Sequence, residues 1–481
     1  GASSDHKQRQ REERGNIMSS NTTNQDDRVF HDEGLTRKLG LSTAIAIGIG
    51  TTVGSGIFTS IGEIAGASGS ALFIALSFLL GGLYQIPASM FYAEIYSAYP
   101  VSGGVYKTFE LAGWRPLAFI SGWLNFVASD PPGLSAMALS IASYLSYFTH
   151  HSPLVGKFIA AAFILLFMFI HIRSVEGGGK LLDIITTFKI IPFVILAGVA
   201  ICFARGDLLA APAAPGAPVG IAALIAGISA TTWSYDGTSQ VVVCAGEIKN
   251  PRKNMPIALI LTVVIITVFY TVFATAMAGL LPVAELAAAE APVSAAVSQI
   301  PGFGSLAGTL SAALAVVVVT GTLATSVFSQ PRVQYQMARD GLWFPKFGEI
   351  HPKYKTPAFS IVVQCALAIF FIFVSNISEI LGYFTLTISL RSIIGYLVVF
   401  KYHKRDDYHP TYHMPCWRVL SIALAIMAFI MFLGTLSWAP KASWAFIAIA
   451  LVTGYIGYRY FESHYGLKVK SETKQDFGDK E

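Results

Sequence analysis

The run Ile47-Gly48-Ile49-Gly50-Thr51-Thr52-Val53-Gly54-Ser55-Gly56-Ile57-Phe58 lies inside an apolar segment from about Ser42 to Ile64, long enough to cross a bilayer. Four glycines and two threonines occupy the nine positions from Gly48 to Gly56. Each glycine weakens a helix by roughly 1 kcal/mol relative to alanine, so a helix here is expected to break. A break exposes backbone N–H and C=O groups, which a membrane tolerates only where they line a cavity or hold something. The N–H groups of Ser55 and Gly56 would open a second half-helix and turn its positive end toward an anion.

Composition sets the class around that stretch. Of 481 residues, 54% are hydrophobic and 13% charged, with a mean hydropathy of +0.58. Soluble domains carry roughly 25% charged residues, so the chain reads as an all-α polytopic membrane protein. Its formal net charge of +5 comes from lysines and arginines outside the apolar runs, which is membrane topology and not a nucleic-acid footprint. The four cysteines, Cys202, Cys244, Cys365 and Cys416, have no metal-ligand spacing, and no metal or cofactor is expected.

Residues 1–41 and 463–481 are polar and charged and read as cytoplasmic tails. The first Met stands at 18, which leaves open that part of the leading tail is added sequence, and no secretory leader is read. Between the tails, twelve spans are expected at about 42–64, 71–98, 116–147, 154–173, 181–203, 219–244, 256–281, 305–336, 358–374, 377–400, 417–437 and 443–462. The third is overlong and contains Asp130-Pro131-Pro132, so a kink or a strong tilt is expected there. Short loops on one side hold fifteen lysines and arginines, from Lys107 to Arg418, against Lys157, Arg205 and Lys441 on the other. The basic side is expected to be cytoplasmic, with both termini on it. Only Cys202 then approaches the outer side, so no outer disulfide is expected.

A second interruption appears in the sixth span. Ile228-Ser229-Ala230-Thr231-Thr232-Trp233-Ser234-Tyr235-Asp236-Gly237-Thr238-Ser239 is apolar at its flanks and polar at its middle. Spans one and six are five apart. Two broken segments at matching places of two halves point to an inverted-repeat transporter, with residues 42–203 and 219–400 as its halves and 417–462 as two added helices. Close helix packing would also explain glycines in one such span; two at equal places favour a binding site.

Several motifs carry a resemblance. Gly54-Ser55-Gly56-Ile57-Phe58, Tyr92-Ala93-Glu94, Pro100-Val101-Ser102-Gly103-Gly104-Val105-Tyr106, Trp233-Ser234-Tyr235-Asp236-Gly237, Glu247-Ile248-Lys249-Asn250-Pro251 and Met337-Ala338-Arg339-Asp340-Gly341 stand in order along the chain. They resemble the amino acid–polyamine–organocation superfamily, and within it the L-type amino acid transporters. That resemblance implies a LeuT-type fold, a 5+5 inverted repeat with helices 1 and 6 broken. It implies alternating-access transport of an amino acid, commonly by exchange, in the plasma membrane.

The residues allow the chemistry to be argued. An amino acid zwitterion needs an anion site and a cation site a few ångströms apart. Gly54, Ser55 and Gly56 would offer N–H groups to the carboxylate; carbonyls near Ile49 and Gly50, and near Trp233 and Ser234, would face the ammonium, and Thr52 is expected to line the same substrate site. The resemblance puts the amine on positions matching Trp233, Ser234 and Asp236, and makes Trp233 an aromatic gate; ordinary core packing is the other reading of that ring. Asp236 has two readings, a partner for a basic substrate group or, the favoured one, an N-cap for the next half-helix. Lys189 lies roughly 12 Å into the fifth span at 1.5 Å per residue, deep for snorkelling. The resemblance places it where sodium-coupled relatives hold sodium, bracing the first helix and implying sodium-independent transport.

Asp130 and Arg391 are further deep charges, and a direct pair between them is open. Glu94 reads as a gate or structural ion-pair residue near the inner end of span two. Asp183 and Arg332 read as ordinary interface residues. No nucleotide-binding or metallohydrolase motif is present, so no enzyme is expected. The expected partners are an amino acid and the bilayer. The resemblance puts a heavy-chain disulfide in the outer loop after helix three, and about Thr149 to Gly156 there is no cysteine, so no disulfide-linked heavy subunit is expected. The alternatives are a proton-coupled cationic amino acid or polyamine carrier and, outside transport, a receptor or channel.

Overall fold

The computed structural model describes residues 37–53, 55–173 and 175–465, apart from the side chains of 55, 175–179, 182, 183, 186 and 239. Most of both expected tails, Gly54 and the Asp183 side chain lie outside the described residues. Among the described residues the only strand-like feature is an isolated parallel bridge between Leu39 and Ile248; the rest is helices and their connections. Eight candidate spans there, some of them made of successive helices, are long and apolar enough to cross a membrane: Leu41–Ser68, Ala71–Ala98, Pro153–Arg173, Pro251–Leu280, Gly304–Arg339, Ile377–Tyr402, Trp417–Trp438 and Lys441–Tyr465. Thr187–Cys202 and Ala358–Val374 are shorter apolar helices.

The apolar faces point outward as a lipid-facing helix requires. Trp417–Trp438 exposes Val419, Ile422, Ile426, Phe429 and Leu433, spaced three and four apart along one face. Phe188, Ile191 and Ile195 do the same on the helix Val175–Cys202. The polar and small residues turn inward, where helices approach closely. The helix Leu41–Thr52 (α1) packs against Val175–Cys202, Pro251–Leu280 and Gly304–Ser329. The helix Ser55–Ser68 (α2) continues it and packs along Gly220–Ala230. Around them, Ala71–Ala98 runs beside Pro251–Leu280 in the most extensive helix contact of the molecule.

The helix is interrupted just before Asp130-Pro131-Pro132. The helix Arg115–Leu124 passes into a π-turn at Asn125–Ser129, and the next helix, Asp130–Thr149, starts with those prolines in its first turn. Proline there gives up only an N–H that has no helical partner. The wide turn takes up the register change.

The ends of the helices that carry most basic loop residues are fastened by buried polar contacts. Arg332 makes a two-pronged ion pair with Glu247, with Nε to Oε2 at 2.6 Å and Nη2 to Oε1 at 3.2 Å, and both side chains are almost wholly buried. This corrects the reading of Arg332 as an ordinary interface residue. Arg37 donates to the carbonyls of Ala245, Ile248 and Pro100. Lys107 pairs with both Asp340 and Glu110. Glu94 accepts from Tyr408 Oη at 2.8 Å and the Met414 N–H at 2.6 Å, and sits 2.6 Å from His403 Nε2. Glu94 thus holds the 403–414 loop onto the helix Ala71–Ala98.

Candidate functional site

The first interruption is a true break. The helix α1 ends at Thr52; Val53 has φ −72° and ψ 115°, an extended conformation, and its N–H still reaches the Ile49 carbonyl. The chain re-enters a helix at Ser55. The carbonyls around the break are taken up by other helices. Lys189 Nζ donates to Gly50 O at 2.5 Å and Val53 O at 3.1 Å, and lies 3.4 Å from Thr322 Oγ1. Tyr270 donates its hydroxyl to Thr52 O. Lys189 is fully buried, so its ammonium is desolvated and satisfied by the very carbonyls the break frees. The three donors of an ammonium suit this three-way brace.

The second interruption is milder than expected. The helix Gly220–Ala230 (α3) meets Thr232–Asp236 (α4) through Thr231, then a single 3-10 turn at Gly237–Ser239 leads into Gln240–Val243 (α5). Thr231, Asp236, Gly237 and Gln240 all keep right-handed helical angles. The backbone is tightened here and not unwound. The expected N-cap role of Asp236 is also overturned: it precedes the 3-10 turn with φ −65° and ψ −27°, and its side chain makes no capping hydrogen bond to that turn. A capping residue needs an extended backbone to swing its carboxylate over the next N–H groups.

The two interruptions fit into each other through glycine. A Cβ added to Gly56 would lie 2.8 Å from both Cα and O of Ser234 and 2.7 Å from Tyr270 Oη. A Cβ added to Gly237 would lie 2.5 Å from Thr52 N and 2.6 Å from Thr51 C. Each break rests a bare glycine on the other's backbone. Two hydroxyls complete the junction: Thr51 Oγ1 lies 2.6 Å from Gly237 O, and Ser60 Oγ 2.9 Å from Ser234 Oγ. Gly56 therefore has a packing duty that the sequence did not disclose.

A small cavity opens beside the junction. Its walls include Thr51, Ser129, Trp233, Asp236, Gly237 and Gln330. Trp233 closes one side, edge-on to Phe384 with ring centres 4.7 Å apart and close against Gly133. A second cavity lies beyond Asp236, walled by Tyr84, Gln85, Tyr92, Thr238, Arg391 and Tyr396 among others. Of the expected residues, the structure brings Gly50, Thr52, Gly56, Trp233, Ser234, Asp236 and Lys189 together around the breaks. Ile49 contributes its carbonyl to the Val53 N–H. The Ser55 side chain and all of Gly54 fall outside the described residues. Glu94 stands apart, in the loop fastening. Arg391 Nη1 donates to Asn125 Oδ1 at 2.7 Å, so among the described residues Asn125, and not Asp130, is its hydrogen-bonded partner. Sequence reading missed Thr51, Tyr270, Asn125 and Thr322. Their hydroxyl and amide groups carry no sequence signal until the fold sets them against a freed backbone group or a buried charge.

The comparisons agree with this architecture. A family model described as amino acid permease matches residues 39–457. The chain is 28% identical over 377 residues to the Serine/threonine exchanger SteT of Bacillus subtilis, covering 78% of this chain and 85% of that protein. It is 29% identical over 344 residues to the Methylthioribose transporter of the same organism, covering 68% and 72%. It is 23% identical over 438 residues to the mouse b(0,+)-type amino acid transporter 1, covering 89% and 88%. The cargo named differs among proteins of similar likeness, so the fold is shared more widely than the substrate. With most of its length matched by the family model and its apolar helices facing outward, the chain is an integral membrane protein that belongs to the amino acid permease family of the amino acid–polyamine–organocation superfamily.

Proposed function

We propose that this permease is a sodium-independent secondary transporter that exchanges neutral L-amino acids by alternating access. The substrate sits at the junction of the two breaks. The start of α2, with the N–H groups of Gly54, Ser55 and Gly56, takes the carboxylate. Carbonyls at the end of α1 and at Trp233 and Ser234 take the ammonium. Trp233 closes over the substrate. The observation that carries the reading is the interlocked pair of interruptions, one glycine of each resting on the backbone of the other. Such a junction puts main-chain donors and acceptors side by side inside a membrane, where they serve a small zwitterion without a charged side chain.

The Lys189 ammonium, on Gly50 O and Val53 O, supports independence from sodium, since the positive charge at that brace is already supplied. The wider architecture proposed is twelve spans in two inverted five-helix halves, 42–203 and 219–400, with helices at 417–462 added. Both tails lie in the cytoplasm, the membrane is the plasma membrane, and no heavy subunit is attached by a disulfide. Asp236, which walls both cavities, favours a second reading in which a cationic amino acid or polyamine is carried.

The test is uptake of labelled amino acids into liposomes containing the purified protein, preloaded with unlabelled ones. Alanine or leucine should enter by counterflow, and methyl esters and decarboxylated analogues should compete poorly. Stronger competition by putrescine or cadaverine than by alanine or leucine would overturn the neutral reading.

A further inference from the structure

A cavity of about 650 Å³ lies away from the junction, on the side whose loops hold few basic residues. The end of the helix Asp130–Thr149 gives it Ser143 and Ser146, the first turn of Pro153–Arg173 gives Lys157, and Asn376 stands at the start of Ile377–Gly395. Glu290 closes it from the connection between the short helices Val283–Ala288 and Pro292–Val297. Among the described residues Lys157 has no ion pair, and its Nζ stands 6.0 Å from the centre of the Phe373 ring. Glu290 likewise has none among them. The neighbouring Glu379 is already engaged, since it and Asn376 cap each other's N–H groups at 3.3 and 2.9 Å. A positive and a negative group on the walls of one cavity, each without a partner, complement a molecule that carries both charges.

The border of the cavity says which kind of molecule that is. Phe158, next to Lys157, and Phe373 are both exposed and meet edge to face, with ring centres 5.5 Å apart. Leu154 and Val374 beside them are exposed as well. Lys157 stands roughly 6 Å inside the start of its helix at 1.5 Å per residue, a depth at which a lysine reaches the headgroup level of a bilayer. A free amino acid in the cavity would leave the two rings uncovered. A lipid covers them with its chains while its head enters the cavity.

We propose that this cavity holds the headgroup of a zwitterionic phospholipid with a primary ammonium, as in phosphatidylethanolamine. Lys157 takes the phosphate and Glu290 the ammonium, whose remaining N–H donors suit the hydroxyls of Ser143 and Ser146. The acyl chains run over Phe158 and Phe373. The bound lipid ties the connection carrying Glu290 to three long helices. Val283–Ala288, which leads into that connection, packs along α2, so the lipid bears on the half-helix that follows the first break. Ile377–Gly395, whose start walls the cavity, also carries Phe384, the partner of the Trp233 ring.

The experiment uses the full chain in detergent, offered equal amounts of phosphatidylethanolamine, phosphatidylcholine and phosphatidylglycerol, with the retained lipid read from the mass of the intact complex. Phosphatidylethanolamine should be kept in several-fold preference to the other two, because the choline nitrogen has no N–H donor and the glycerol head has no cation. Glu290→Gln should erase the preference over phosphatidylglycerol, and Lys157→Ala should lower retention of both. Added phosphatidylethanolamine should raise the melting temperature of the parent more than that of either variant. A parent protein that keeps the three lipids equally overturns the site, even if the variants do not fold. A preference that survives both substitutions overturns it too, and displacement of the lipid by excess alanine would give the cavity to a soluble zwitterion instead. No readout here involves transport, so failure of the lipid site leaves the reading of the breaks untouched.

Discussion

The two interruptions stand on opposite sides of one junction and are built differently. At the first, Val53 leaves helical geometry altogether and the freed carbonyls are claimed by Lys189 and Tyr270. At the second, the backbone stays right-handed and merely tightens into a 3-10 turn. The first needs external donors because unwinding frees several acceptors at once. The second keeps most of its own hydrogen bonds, as Tyr235 N to Thr231 O shows. A membrane helix can thus be interrupted at high or at low demand on its neighbours, and this chain does both within one contact.

The comparison can be broken most severely at the glycines. Gly237→Val puts side-chain atoms onto Thr51 and Thr52, and Gly56→Val puts them onto Ser234. Because the obstacle is backbone, neither can be relieved by a rotamer change, and overpacking of this kind costs about 1–3 kcal/mol or more. Both variants should lose transport to background and melt at lower temperature in a thermal-shift assay. Native melting with normal alanine affinity in either would show that the breaks do not meet as described.

Lys189 sharpens the asymmetry. Lys189→Ala leaves the Gly50 and Val53 carbonyls without their shared donor, and exchange should fall steeply, on the order of tenfold for each 1.4 kcal/mol of bracing lost. Lys189→Arg keeps the charge with a different shape and should recover only part of the rate. The parent protein should exchange alanine or leucine equally in sodium and in choline. Strong sodium stimulation, or full activity in Lys189→Ala, would mean that the first break is held by something else.

The smallest expected effect is at Trp233, which borders the milder interruption. Trp233→Ala removes the ring that meets Phe384 and should slow transport far more than it weakens equilibrium binding of the substrate. An unchanged transport rate would assign the ring to packing between helices.

The first break was legible because glycine and threonine weaken a helix locally, so composition alone locates the weak point. Lys189 was legible because depth in an apolar span is a property of sequence position. The mutual glycine contacts were not, because the reason for Gly56 is the backbone of Ser234, on another helix. The cap reading of Asp236 failed for a related cause: the residue type suits a cap, but whether a backbone unwinds or tightens depends on what packs around it. The buried pair of Glu247 with Arg332 also joins distant segments, and a lone arginine near a span end reads as a surface residue until its carboxylate is found. The twelve spans and the two repeats rest on the sequence pattern, while the described helices give eight spans by length and composition.

The reciprocal glycine contact also limits how this protein can be redesigned. A clash between two side chains can be cured by trimming either one, so such a pair can drift through compensating changes. Gly56 and Gly237 face main chain, and main chain has nothing to trim. Neither position can grow with a second substitution as its remedy. A library that varies both together should recover glycine at each independently, so that variation in cargo has to be sought in the walls of the cavities and not at the seam between the helices.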